Sequence, residues 1–474
     1  MRSRSARSIS ILVLPLLLAG CAAVGPEHTV PDLAVGQGWH TTAIDTTPTE
    51  LSSWWRTLGD PDLESLVEKA LAHNLDLRQA ALNIEAARAR LLGAEALSAP
   101  MLGASASTQR RRLSVNSPEF NPQRSPNQTL SDAGLDASWE IDLFGSLRRQ
   151  RESAQAALQM TEAEANGLRL SIAAETARTY FSLRGAQREL AARQSAVKSL
   201  QQIHTLVQSR YAAGDLPSTE VERAQARLDQ AKAALPAIEA RLQAAGIALG
   251  LLCGALPESQ LALTATSGKE ATLEPIPVGQ RADVLRRRPD VIAAERQLAA
   301  ATADTGVATA ELFPKLSLSA SAGFRTLSGS DLFAWDSRRG LAGPLISWRI
   351  LDGGQVRAEI RAAEARQQSA ALGYEKAVLT ALADAEKALN QYSHALLSLR
   401  DQETAIASTR RVAETTRRRY TLGDTSLAEV LDAERELADQ HALLAQNKAA
   451  AASDLATLYK ALGGGWAPRS RPGE

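Results

Sequence analysis

The sequence predicts a mainly α-helical chain with a small two-faced β part, built as an internal two-fold repeat. Three observations lead there. First, the stretch Ser138–Gly254 occurs twice. A shift of 209 residues carries Ser138-Trp139 onto Ser347-Trp348, Gly145 onto Gly354, Arg210-Tyr211 onto Arg419-Tyr420, Gly214-Asp215 onto Gly423-Asp424 and Glu220-Val221 onto Glu429-Val430. A register held that long means two copies of one structural unit. Second, no proline interrupts the chain between Gly145 and Tyr211, and its apolar residues recur at helical spacings. Third, 45% of residues are apolar but only 4% are aromatic. An Ala-rich, Glu/Arg/Gln-rich sequence suits long helices packed side by side.

Charge and cysteine content exclude several functions. The 53 basic and 53 acidic residues balance, and removing Arg2, Arg4 and Arg7 leaves a slight acidic excess. Nucleic-acid binding, which needs a basic face, is not expected. Two cysteines and scattered histidines offer neither a disulfide framework nor a metal site. No nucleophile–base set or phosphate loop appears, so no enzyme and no cofactor are expected.

Residues 1–20 read as a targeting segment: three arginines, the apolar run Ile9–Leu18, then Leu18-Ala19-Gly20-Cys21. The run is too short for a permanent span. Small residues before Cys21 resemble the bacterial lipoprotein signal, in which the cysteine becomes an acylated N-terminus. Residues 21–58 read as an extended arm, docked by Trp54-Trp55. Asp60-Pro61 opens a helix, with Asp capping and Pro in the first turn. A second helix follows Asn74 and stops before Pro100.

After Pro100 the period changes from helical to alternating. Leu102, Ala104 and Ala106 face one way, and Ser105, Ser107 and Gln109 the other. Leu135, Ala137, Trp139, Ile141 and Leu143 alternate with polar residues in the same manner. The second copy repeats the switch after Pro314, over 316–324 and again over 346–351. Four strands of this kind, in hairpins 101–143 and 315–351, carry the transmembrane barrel pattern, with Trp139 and Trp348 as an interfacial aromatic belt. Four strands cannot close a barrel, which needs about eight. Open edges are not tolerated in lipid. Copies of the chain must therefore join.

Each hairpin of strands leads into a long helical hairpin, 145–254 and 354–463. The first helix, at 1.5 Å per residue, extends roughly 100 Å. Leu183, Leu190 and Val197, seven apart, suggest a coiled-coil seam. The return helix is expected over Pro217–Leu252. Residues 255–280 read as a linker between a first unit (59–254) and a second (281–463), and 464–474 as a loose tail.

The ordered set of motifs resembles the outer membrane factor family, the TolC-like outer membrane efflux proteins, and in particular their lipoprotein branch of NodT and OprM type. It comprises Gly59-Asp-Pro-Asp-Leu63, Pro277-Val278-Gly279, Leu285-Arg-Arg-Arg-Pro-Asp290, Leu312-Phe313-Pro314 and the two Arg-Tyr-x-x-Gly-Asp turns. The resemblance implies a homotrimer: a twelve-stranded barrel in the outer membrane of a Gram-negative bacterium, continued by a helical periplasmic tunnel. It implies a passive exit duct for drugs or other small solutes, served by a periplasmic adaptor and an inner-membrane, proton-driven pump, and lipid-anchored through Cys21. A type I secretion duct for polypeptides, or a periplasmic coiled-coil adaptor lipoprotein, are the alternatives.

The family also suggests roles at the far ends of the hairpins. Tyr420 matches a tyrosine that ties the closed mouth, with Glu220 as its expected hydrogen-bond partner. Glu429 and Asp432, three apart, share one helix face and would form an acidic ring. Thr425 stands where some members carry an arginine that bridges subunits. Arg210, Gly214, Asp215, Arg419, Gly423 and Asp424 are candidate adaptor contacts at the tips.

Overall fold

The computed structural model describes residues 23–33, 36, 38–40, 51–266, 268–327 and 329–466. Cys21, the targeting segment and the tail beyond Trp466 lie outside them. The described chain runs α1 (Trp54–Thr57), α2 (Pro61–His73), α3 (Leu75–Ala96), β1 (Met101–Arg112), β2 (Asn127–Ile141), α4 (Ser146–Ala212), α5 (Ser218–Ala233) and α6 (Leu235–Leu252). Then follow α7 (Arg281–Arg287), α8 (Pro289–Ala310), β3 (Lys315–Thr326), β4 (Arg338–Ser347), α9 (Gln355–Leu422) and α10 (Leu427–Ala461). Residues group into two compact units. The described residues of Met1–Asp32, Asn83–Thr161 and Ala293–Tyr374 form one, and those of Leu33–Leu82, Glu162–Ile292 and Glu375–Glu474 the other.

The first unit is built on an antiparallel sheet of order β1-β2-β3-β4. Its register sets Ala106, Ala133, Phe324 and Arg338 in one row across the sheet. Alternate rows toward the other end bring Ala104, Leu135, Ala322 and Gly340 together, then Leu102, Ala137, Ala320 and Ala342. Trp139, Leu318 and Pro344 follow, then Ile141, Leu316 and Ile346. Directly paired residues share a face, so one face of the sheet is apolar over its whole middle. The opposite face carries Ser105 bonded to Asp136 (2.8 Å) and Asp132 held by Arg325 and Arg339, each at 2.6 Å.

Strand limits differ from the sequence reading. β2 begins at Asn127, ahead of the alternation read from Leu135, and β4 at Arg338, ahead of that read from Ile346. β4 ends at Ser347, so Trp348 and Ile350 are not strand residues. Among the described residues β4 pairs only with β3, whose pairing to it begins at Lys315, and the preceding Pro314 has no N–H to extend the ladder. The polar face also fails on β4, where Leu341 and Leu345 lie among it.

The start of the N-terminal arm, residues 23–32, packs into the same unit. The Val24 amide donates to Phe144 O (3.0 Å), and a Cβ on Gly145 would sit 2.5 Å from Ala23. Gly25 and Gly306 meet backbone to backbone, since a Cβ on Gly25 would lie 2.5 Å from the Gly306 Cα. His28 pairs with Glu295 at 2.6 Å.

In the second unit the Asp60 carboxylate accepts from the amides of Asp62 (3.0 Å) and Leu63 (3.3 Å), as its position before Pro61 predicts. Asn74 caps α3 in the same way and donates to Leu252 O (3.0 Å), so the end of α6 abuts the α2–α3 junction. The return stretch is not one helix. It breaks at Ala234, because Pro236 has no N–H to give to Lys232. Nor is the arm wholly extended, for Trp54–Thr57 forms a helical turn.

Six of the chain's aromatic residues gather in this unit's core. Trp54 stacks on Tyr459 with ring centroids 4.7 Å apart, beside Trp55, Tyr180, Phe181 and Tyr392. The buried Tyr180 hydroxyl donates to Asp60 (2.6 Å), and burial with that carboxylate pushes its pKa far up. Elsewhere the helices pack through small residues. A Cβ on Gly185 of α4 would lie 2.4 Å from the Ala449 Cβ of α10. Gly185→Ala is therefore expected to destabilise the protein by about 1–3 kcal/mol through overpacking, read as a lower thermal midpoint. An unchanged midpoint would show that this contact is not tight.

Candidate functional site

Both hairpin tips close in the same way. The Asp215 amide donates to Arg210 O (2.9 Å) and Gly214 to Tyr211 O (2.9 Å). Asp424 donates to Arg419 O (2.9 Å) and Gly423 to Tyr420 O (3.1 Å). This pair of bonds is the Schellman cap, and it needs a left-handed residue just past the helix. Gly214 and Gly423 supply it, each with φ of 85°. Gly214, Asp215, Arg419, Gly423 and Asp424 are exposed. Arg210 is half-buried instead, its guanidinium 5.3 Å from the Tyr420 ring centroid.

The two tyrosines of the repeated turn part company. Tyr211 is exposed, whereas Tyr420 is buried among Ile203, Val207, Ala224, Leu427, Val430 and Leu431. The Tyr420 hydroxyl has no hydrogen-bond partner among the described residues, and neither has Glu220 Oε2. The expected Tyr420–Glu220 bond is therefore absent within this chain. Glu220 is held instead by Arg223, Oε1 at 3.4 Å. Burial raises the Tyr420 pKa, with Arg210 opposing it. Two buried oxygens without a hydrogen-bond partner among the described residues are costly, since each lacks what water would supply.

At the start of α10, Ser426 caps the helix by accepting from the Glu429 amide (3.3 Å). The Thr425 hydroxyl donates to the Glu429 carboxylate. Bonds from Thr425 and Ser426 hold Glu429 below the ordinary glutamate range, so it stays ionised into mild acid. Asp432 is exposed but not a bare acid, with Arg227 at 3.6 Å and Arg435 at 3.9 Å. The sequence reading missed Glu434. It is buried and grips Arg417, whose Nε lies 3.0 Å away and whose fork also reaches Ser199 Oγ at 3.4 Å. Only a buried-face position on α10 could have flagged it.

Trp139 and Trp348, the expected aromatic belt, make matching bonds. Trp139 Nε1 donates to Ser98 O (2.9 Å) and Trp348 Nε1 to Leu312 O (3.0 Å). Each indole thus satisfies a carbonyl just past a helix end, two residues before Pro100 or Pro314. Among the described residues no cluster of three potential metal donors forms.

Comparison with known proteins settles the family. The outer membrane efflux protein model matches residues 66–255 and again 281–464. The chain belongs to the outer membrane efflux protein family. It is 33% identical over 472 residues to the pyoverdine export outer membrane protein OpmQ of Pseudomonas putida, covering 96% of this chain and 97% of that one. It is 32% identical over 474 residues to nodulation protein T of Rhizobium leguminosarum, with 97% of each covered. The solved outer-membrane channel OprN superposes with a TM-score of 0.87 at 35% identity, over 94% of this chain and all of that one. The protein is an outer membrane efflux channel, and the adaptor alternative is set aside.

Within this efflux protein, removing the Glu434 carboxylate strands Arg417 against the hairpin. Glu434→Ala is expected to cost about 1–3 kcal/mol and to speed hydrogen exchange in α9 and α10 first. Exchange unchanged in those helices would remove the pair from the hairpin's support.

Proposed function

We propose that three copies of this chain form one conduit, a twelve-stranded barrel in the outer membrane continued by a tunnel of helices in the periplasm. The observation that carries the reading is the sheet. One face is apolar, and within the described chain β1 pairs only with β2 and β4 only with β3. From Leu316 to Phe324 is about nine residues, close to the ~9–11 that a tilted strand needs to cross. Backbone groups on an open edge cannot be left unpaired in hydrocarbon, so the outer strands must meet those of neighbouring copies.

An internal repeat is part of the proposal. In support, the family model matches twice, and the turns at Gly214 and Gly423 close identically. Asn74 donates to Leu252 O, and Arg288 to Ala461 O at 3.3 Å, the two acceptors being 209 residues apart in the chain. The first repeat then covers 59–254, the linker 255–280 and the second repeat 281–463.

The tips at Arg210–Asp215 and Arg419–Asp424 form the periplasmic mouth and meet the adaptor, behind which stands an inner-membrane, proton-driven pump. The buried Tyr420 hydroxyl and Glu220 Oε2 find their partners there when the mouth is closed. Thr425 serves Glu429 within its own chain rather than bridging subunits. Glu429 supplies an ionised ring that favours cations, while Asp432 is moderated by its arginines. Relatives at nearly equal identity are named for pyoverdine export and for nodulation, which suits a shared passive duct whose cargo is chosen by the pump. No catalytic step is part of this role. Cys21 is the acylated anchor. It lies two residues before Ala23, which packs at the strand-to-helix turn of Gly145, near the level of the tryptophan rim.

Tyr420→Phe combined with Glu220→Gln should raise single-channel conductance in planar bilayers, and unchanged conductance would take both residues out of the lock. Cys21→Ser should abolish acylation while leaving trimers intact. A mutant unable to assemble would make the anchor structural.

A further inference from the structure

The apolar face of the sheet has a second aromatic rim, opposite the one that Trp139 and Trp348 mark. Phe324 stands in the last row where β2, β3 and β4 all pair, directly across from Arg338. Phe333, in the β3–β4 connection, packs edge-on to Phe324 with centroids 5.5 Å apart, so it stands on the same face. Phe333 and Trp335 are each 74% exposed, among the most exposed large side chains described. The Arg338 guanidinium lies over the Trp335 ring, and its Nε donates to Trp335 O (2.9 Å). Asp331 and Asp336 share this connection, yet among the described residues no carboxylate pairs with Arg338. Arg110 and Arg112 lie on the same face further out, beyond the level where β3 ends.

Resting on the membrane-spanning reading above, we propose that Arg338, with Trp335 and Phe333, is a binding site for the phosphate of an outer-leaflet lipid. The spacing fits. Leu316 and Phe324 bracket about one hydrocarbon thickness, so the Phe324 row falls at the outer interface. Aromatic rings settle at that level, with their apolar bodies in acyl chains and their polar edges in the headgroups. A guanidinium held over an indole is fixed in direction, and its free fork matches a phosphate in two-pronged fashion. Arg110 and Arg112 extend the positive charge outward along the same face. The inner rim differs in kind: Arg349, next to Trp348 in the chain, is bonded to Glu311.

The test uses the full-length protein in phosphatidylcholine nanodiscs doped with bis-phosphorylated lipid A, or with the same glycolipid stripped of phosphate. Retained glycolipid is counted by native mass spectrometry, and single-channel current is recorded in parallel. The wild type should retain roughly fivefold more of the phosphorylated form, the effect of about one basic side chain at an anionic surface. Arg338→Gln should erase that preference with current unchanged, and Arg338→Lys should restore part of it. Equal retention of both glycolipids by the wild type would overturn the proposal, whatever the variants do. So would a conducting Arg338→Gln protein that keeps the full preference. A wild type that neither inserts nor conducts would bring down the membrane-spanning reading, and this site with it.

Discussion

A sheet with one apolar face and two unpaired edges is the constraint on which the rest of the structure depends. Each edge presents a row of N–H and C=O groups, and hydrocarbon offers them nothing. Within one chain β1 and β4 have no second neighbour among the described residues. On the proposal made here, lipid on one face and bare edges at both sides leave association as the route to satisfied backbone. The polar face then becomes a lining, with Asp132, Arg325 and Arg339 tying three strands together across it.

The helices solve a different problem with different residues. Long, slender helices have little room for large side chains, and they approach through Gly185 and many alanines. Within the second unit, buried aromatic bulk is concentrated in the core around Trp54, Tyr180, Tyr392 and Tyr459. At the tips, Schellman caps turn the chain in the fewest residues, leaving the turn exposed and the residue before it free to point inward. Tyr420 uses that freedom and Tyr211 does not. Nearly equal sequences thus give an exposed position in one hairpin and a buried, unpaired hydroxyl in the other, which is where a switch can be built.

Much of this was legible in the sequence. Period-2 alternation placed the strands and their faces, because pairing directly opposite keeps parity across the sheet. The Asp60-Pro61 start and the Gly214 and Gly423 turns were readable because each is a local backbone demand. What escaped was set by neighbours distant in sequence. The stop of β4 at Ser347 depends on where β3 begins, and alternation alone extended it to Leu351. The break at Ala234 follows from Pro236, which lies inside the expected return helix. Tyr420 and Glu220 were named as partners, but their geometry depends on Arg210, Arg223 and the packing of two hairpins. Glu434 carried no local signal beyond its helical position.

Hydrogen–deuterium exchange on the detergent-purified protein, resolved to the amides of β1 and β4, tests the central claim most directly. If copies of the chain close a barrel, both outer strands will exchange as slowly as β2 and β3. Rapid exchange along the outer edges of β1 and β4, with β2 and β3 protected, would mean that the sheet stays open and that the chain is not part of a shared wall.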